Sequence, residues 1–334
     1  MSTPMEGTPP TEITTPVPDV DDSTRFMTMV ADHALFAPGT GGGRIAIEGI
    51  NVHDVTLRDA ILKSARIVRG VFIECDFTCA VFEGAELENC DFDKTGFAGA
   101  DFTSAIITDS RFSGAWLANA CFAESRLRAA MFPKAQMEQI RLHDAIATGC
   151  SFHGANLSEA MFHHAHLSEC DLGEAELHRA QFYQAHLSFC RLKGAKGDSV
   201  NFTSARIAHC DFDQAELFGG RFQKADAQSS SFGRANLSEA DFRDANLSGV
   251  KFGGTNLSRA KFGGARMVTT DLRGANLDGA RELTMAQLSQ ALTGSSTILP
   301  NGRRGPYMRY SGAEKARVQD DPPERHRTAP EEAD

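Results

Sequence analysis

The sequence predicts an all-β solenoid whose chain winds in four-sided coils, and three observations predict it. Large apolar residues recur every five positions: from Leu57 to Leu277 each residue numbered with a final 2 or 7 is Phe, Leu, Ile or Met, apart from Ala147, Gly197 and Ala227. Two places earlier the residue is nearly always small, from Ala60, Ala65 and Gly70 to Ala280. A repeat of five fits neither the period of about 3.6 of a helix nor the alternation of an ordinary strand. A short extended side followed by a corner fits, because small and large residues two apart then point to one inner side. The second observation is a ten-residue sub-period: Phe82, Phe92, Phe102, Phe112, Phe122 and Phe132 alternate with Leu87, Phe97, Ile107, Leu117, Leu127 and Met137. Four sides of five residues place these Phe positions on two opposite faces of every coil, whereas three sides scatter them. The third is that Cys150, Cys170, Cys190 and Cys210 recur at intervals of 20 and so form one column.

The elements follow in order. Residues 1–22 are acidic and rich in Thr and Pro, and read as a disordered tail. Residues 23–49 read as an N-terminal cap and linker, with a short amphipathic segment from Thr24 to Phe36, the Gly-rich run Gly39 to Gly43, and Ile45, Ile47 and Ile50 opening the first coil. The repeat proper spans residues 50–281. Its core ladders are Phe72, Phe92, Phe112, Phe132 and Phe152 on one face and Phe82, Phe102, Phe122, Phe162 and Phe182 on the opposite one, with the four cysteines at the small inward position. The small centres Ala147, Gly197 and Ala227 predict thin packing or a bent face. Over residues 282–299 the period changes to that of a short capping helix, with Thr284 and Gln287 as a capping box, Gly294 as its stop, and Leu283, Leu288 and Leu292 over the last coil. Such covers are needed because stacked coils expose sheet edges at both ends. Residues 300–334, charged and Pro-containing, read as a second disordered tail.

The succession Ala235-Asn236-Leu237, Ala240-Asp241-Phe242 and Ala245-Asn246-Leu247 resembles the pentapeptide repeat family. The resemblance covers roughly residues 50–281 and implies a right-handed quadrilateral β-helix. At about 4.8 Å per stacked coil the rod is about 55 Å tall.

Candidate sites lie where the repeat is broken on its outside. Trp116, Met131, Met161, Tyr183, Phe189 and Phe218 stand at positions the repeat fills with polar residues. Eight of the eleven histidines fall between residues 143 and 209. A period of 20 aligns His143, His163 and Tyr183 in one outward column and His166 with His186 in another. The candidate partner surface is therefore His143, Met161, His163, His166, Tyr183, His186 and Phe189. Stacked imidazoles invite a metal, but a third ligand cannot be placed, so no metal is expected. The cysteine column reads as packing, since free buried Cys behaves as a small hydrophobe. No P-loop, GxSxG elbow, HExxH or dinucleotide fingerprint occurs, and Gly39 to Gly43 lacks the spacing of a phosphate loop. No catalytic residue and no cofactor are expected.

The net charge of −10 is uneven: residues 1–50 hold seven acids and two bases, residues 51–280 hold 29 and 24, and residues 281–334 hold eight of each. No apolar run approaches the length of a membrane span, no export leader is visible, and eight unpaired cysteines suit a reducing cytoplasm. The first expectation is a non-enzymatic scaffold that binds another protein, with a homodimer through the C-terminal helix as a further possibility. The resemblance implies a second, a mimic of duplex DNA that binds DNA gyrase, though a nearly balanced solenoid without a projecting loop suits it poorly. It implies a third as well, an exported effector or accessory of a secretion machine. Direct nucleic-acid binding is not expected, since no basic stripe is visible.

Overall fold

The computed structural model describes residues 21–34 and 44–316, which form a four-sided solenoid with a helix against each end. The first coils contain β1 (Ala46–Glu48), β2 (Asn51–His53), β3 (Arg66–Val68), β4 (Val71–Ile73) and β5 (Glu86–Glu88). Six more strands, β6 to β11, follow at Ile106–Thr108, Arg126–Arg128, Ile146–Thr148, His166–Ser168, His186–Ser188 and Arg206–Ala208. They stack in parallel as a nine-stranded sheet in the order β1-β3-β5-β6-β7-β8-β9-β10-β11, and β2 pairs with β4. Each residue pairs with the one 20 ahead, as Ile67 with Leu87 and Leu167 with Leu187, so the coil is four pentapeptides long. The side carrying the nine-stranded sheet is called the first; the second, third and fourth follow along the chain and are held by isolated bridges of the same register.

Corners explain why five residues suffice. The residue at each corner, numbered with a final 4 or 9, takes a left-handed conformation, with φ of 58° at Lys94 and 55° at Glu174. Outside glycine this costs about 1 kcal/mol per residue. The corner N–H offsets the cost by donating to the next coil, as Lys94 N donates to Ser113 O at 3.0 Å. Asn and Asp just before the large apolar residue tighten the turn, because the side-chain oxygen accepts from the N–H two residues on: Thr78 N donates to Asp76 Oδ1 at 2.9 Å.

Inside, the Phe ladders form as the ten-residue sub-period predicts. On the second side Phe72, Phe92, Phe112, Phe132 and Phe152 stack at centroid separations of 4.9–5.2 Å. On the fourth side Phe82, Phe102 and Phe122 stack at 4.7 and 4.5 Å, and Phe162 resumes with Phe182 at 4.5 Å beyond Leu142. The ladders meet edge-on across the core, as Phe122 meets Phe132 at 6.0 Å and 86°. Where a small inward position holds a hydroxyl it is bonded: Thr95 Oγ1 donates to Phe72 O at 2.7 Å. Thin packing is not what Gly197 produces. A Cβ there would stand 2.5 Å from Val200 Cγ2, so the larger residue at the neighbouring small position fills the space.

The N-terminal end is closed by α1 (Asp22–Ala34), whose Phe26, Met29, Val30 and His33 are buried. Asp21 holds its start by accepting from Thr24 N at 3.0 Å. Phe26 lies 5.1 Å from Phe72, at the head of the second-side ladder. The open edge of β2 is satisfied by side chains: Asn51 N donates to Asp22 Oδ2 at 2.9 Å and His53 N to Ser23 Oγ at 3.2 Å. Asp22 thus belongs to the cap rather than to the tail. Asp21 belongs to the cap too, while residues 1–20 and the Gly39 to Gly43 run lie outside the described residues.

The C-terminal end differs from its expectation in two respects. Helix α2 (Met285–Gln290) carries the capping box of Thr284 and Gln287, with Ala291 as its C-cap rather than Gly294 as a stop. Gln287 Nε2 also donates to Phe262 O and Ala265 O at 2.7 and 2.9 Å, closing the carbonyl edge. Leu283 and Leu288 are buried, but Leu292 is 48% exposed and does not cover the last coil. The helix inserts one residue, so Leu292 pairs with Asp271, 21 positions back, and a slip of one residue turns a side chain outward. The second correction concerns residues 300–316, which continue the ordered structure instead of starting a tail. Leu299 N donates to Arg303 O at 2.8 Å, Gly305 N to Thr297 O at 3.0 Å and Tyr307 N to Thr293 Oγ1 at 2.8 Å, and Ala313 is buried. Residues 317–334 lie outside the described residues. Among the described residues no helix is long and apolar enough to cross a membrane.

Candidate partner-binding surface

In-register stacking turns a 20-residue recurrence into direct contact, which is why like side chains meet on the outside. On the fourth side His143 and His163 lie with ring centroids 5.0 Å apart, and Tyr183 follows at 6.2 Å from His163. His164, on the corner toward the first side, reaches the same tyrosine at 6.3 Å. Around that corner, His166 on β9 and His186 on β10 meet edge to face at 4.5 Å. The structure therefore brings His143, His163, Tyr183, His166 and His186 onto two sides flanking one corner. Met161 is half-buried and contributes little apolar surface. Phe189 is 63% exposed but occupies the opposite corner of the first side, where it stacks on His209 at 5.1 Å and 7°. It belongs to a separate patch.

Two members the sequence reading did not single out are His164 and His209. The second was legible, since it lies 20 residues beyond Phe189; the first aligns with Gln184 and Asp144 and carries no columnar signal. His33 also went unread: it is buried, its Nε2 donating to Lys63 O at 2.9 Å and its Nδ1 accepting from Ile45 N at 3.1 Å. It joins α1 to the first coils.

Burial holds the His163 and His186 imidazoles below their usual range. Repulsion within the cluster adds to this: His143 and His164 act on His163, and His166, Arg206 and His164 on His186. The cysteines of the column are free and buried, and their thiols donate to backbone carbonyls, as Cys170 to Ala147 O and Cys190 to Leu167 O, both at 3.5 Å. The stacked thiols act on one another, pushing Cys170 and Cys210 up and Cys150 and Cys190 down. Their burial at the small inward position fits a packing role. Among the described residues no group of three or more His, Cys, Asp or Glu is arranged to hold a metal ion. Elsewhere Trp116 is 55% exposed beside the shallow notch left by Gly96.

A family model described as pentapeptide repeat region matches residues 85–162 and 205–281, and one described as pentapeptide repeats (8 copies) matches residues 53–93, 160–196 and 175–214. The chain belongs to the pentapeptide repeat family. Among solved pentapeptide repeat proteins, it is similar to HetL of the cyanobacterium Nostoc sp. strain PCC 7120, a protein involved in heterocyst differentiation regulation: 24% identity over 78% of this chain and 94% of that one, TM-score 0.27. It is also similar to Rfr23 of the cyanobacterium Cyanothece 51142, with 23% identity over 32% of this chain and 86% of that one, TM-score 0.30. A third is full-length QnrB1, a plasmid-mediated fluoroquinolone resistance protein, with 18% identity over 65% of this chain and 92% of that one, TM-score 0.17. No curated protein matches the sequence.

Proposed function

We propose that this pentapeptide repeat protein is a non-enzymatic scaffold, a stiff rod that docks another protein through the corner between its fourth and first sides. The observation that supports this reading is the contiguous aromatic surface of His143, His163, His164 and Tyr183, with Tyr183 38% exposed in a position the repeat otherwise fills with polar residues. Tyr and His present flat faces at small entropic cost, which suits them to recognition. Gyrase-directed mimicry of DNA is less favoured, because many of the solenoid's acids are neutralised laterally, as Asp76 by Arg58 at 2.6 Å and Glu83 by Lys63 at 2.7 Å.

The test is a cross-linked capture of tagged protein from its native cells, read by mass spectrometry against His163→Ala/Tyr183→Ala. A partner enriched with the wild type and lost with the variant supports the reading. Enrichment of gyrase that survives the substitutions overturns it. Self-association at the C-terminal end would use Leu292, Met308 and Tyr310, which are 48%, 66% and 86% exposed, since Leu288 of α2 faces the last coil. Sedimentation of the wild type beside Met308→Ser/Tyr310→Ser decides this: a dimer weakened by the variant supports it, and a monomer at high concentration removes it.

A further inference from the structure

The first side changes its chemistry along the rod. Near the N-terminal end its arginines are neutralised by glutamates one or two coils away: Arg44 and Arg66 reach Glu86 at 3.2 and 3.6 Å, and Arg69 pairs with Glu48. From β6 onward the outward strand positions no longer carry glutamates, while arginines remain. The in-register column there reads Ile106, Arg126, Ile146, His166, His186, Arg206, and Arg128 stands beside Arg126 on β7. Arg126, Arg128 and Arg206 are exposed, and among the described residues they make no ion pair. Carboxylates flank the column on corner residues, Glu124 and Asp144 on one side and Asp109 and Glu169 on the other, and bound it at its ends, with Glu86 and Glu88 one rung before Ile106 and Thr108 and Asp226 one rung beyond Arg206. Ile106 and Ile146, 44% and 47% exposed, stand on either side of Arg126.

The geometry points to this stretch of the first side as the docking face for an acidic protein segment, one that presents carboxylates and apolar side chains together on the face it turns to the rod. The inference rests on the scaffold reading and names the chemistry of its partner. Five rungs at about 4.8 Å each make the column about 24 Å long, room for about seven residues of extended chain laid along the rod. Carboxylates of that segment meet Arg126, Arg128 and Arg206, and its apolar residues cover the two isoleucines. A nucleic-acid backbone suits the face less well. Three arginines neutralise too few phosphates for appreciable affinity, and the isoleucines would be left without partners.

The test uses full-length protein and a fluorescein-labelled peptide repeating Glu-Ser-Val-Ser, whose Glu and Val share one face when extended, followed by anisotropy at low ionic strength. Arg126→Gln/Arg128→Gln/Arg206→Gln should weaken binding about tenfold or more. A charge-matched control, Arg111→Gln/Arg179→Gln/Arg259→Gln, removes three arginines that have carboxylate partners and should change it less than about twofold. All six side chains are solvent-exposed, and circular dichroism checks that each variant is folded. The inference is overturned by the absence of peptide binding, by equal losses in the two variants, by equal binding of a peptide with Gln for Glu, or by preference for a short DNA duplex. It is also overturned, with the scaffold reading left standing, if a partner captured from cells is lost with His163→Ala/Tyr183→Ala but kept by the Arg126 triple variant.

Discussion

At Gly197 and Val200 the repeat breaks its rule twice, and the two departures compensate. A centre without a side chain would leave a void, and Val200 Cγ2 occupies the place a Cβ of residue 197 would take. Val200→Ala should therefore cost about 2 kcal/mol, since nothing else fills the space, and urea unfolding should show a lower midpoint at unchanged slope. A second expectation concerns His163 and His186, whose folded-state values lie below the ordinary 6.5 because burial disfavours the cation. The unfolded chain then binds the proton more readily than the folded one. Their contribution is complete above the ordinary value and is lost as pH falls below it toward the folded values. Melting temperature should drop between about pH 7 and about pH 5, and the drop should shrink in His163→Gln/His186→Gln. The histidine columns were legible because a period of 20 fixes vertical neighbours. Half-burial of Met161 was not, since exposure at that position depends on the size of side chains in adjoining coils.

Both capping elements were legible in kind and misjudged in extent. The capping box around Thr284 and Gln287 is a local pattern, and a local pattern can be read. The turned-out Leu292 depends on how many residues the helix consumes before the chain rejoins the register, and the order of residues 300–316 depends on contacts with Thr293 and Thr297 that composition does not announce. Similarly, apolar spacing revealed a segment near Thr24, whereas the use of Asp22 and Ser23 to satisfy the edge of β2 did not show before the fold was known. Two predictions belong to these elements. Phe26→Ala should cost about 3 kcal/mol or more by urea denaturation, as it uncovers the head of a Phe ladder. Gln287→Ala should cost about 1–2 kcal/mol, losing the box together with two carbonyl contacts, while Gln290→Ala on the exposed face of α2 should be nearly neutral.

Taken as one body, the solenoid seals its interior so evenly that chemical reactivity should reveal the whole winding. Of eight cysteines only Cys79 is exposed and Cys121 half-buried. A thiol reagent should label Cys79 fast and Cys121 more slowly in the native state, and the other six only on unfolding; fast labelling of Cys150 or Cys190 would mean that the coils open. The fold could be read at this scale because a regular repeat states the same instruction in every coil. The docking chemistry could not, since it hinges on which arginines find glutamates after stacking. That stacking also governs how the protein bears load. Bonds between coils point along the rod, so tension applied at its two ends pulls each layer open in turn instead of shearing many at once. Each coil let go frees 20 residues, about 65 Å of slack. Under force the rod should pay out chain in even steps, stiff against bending yet yielding to a pull.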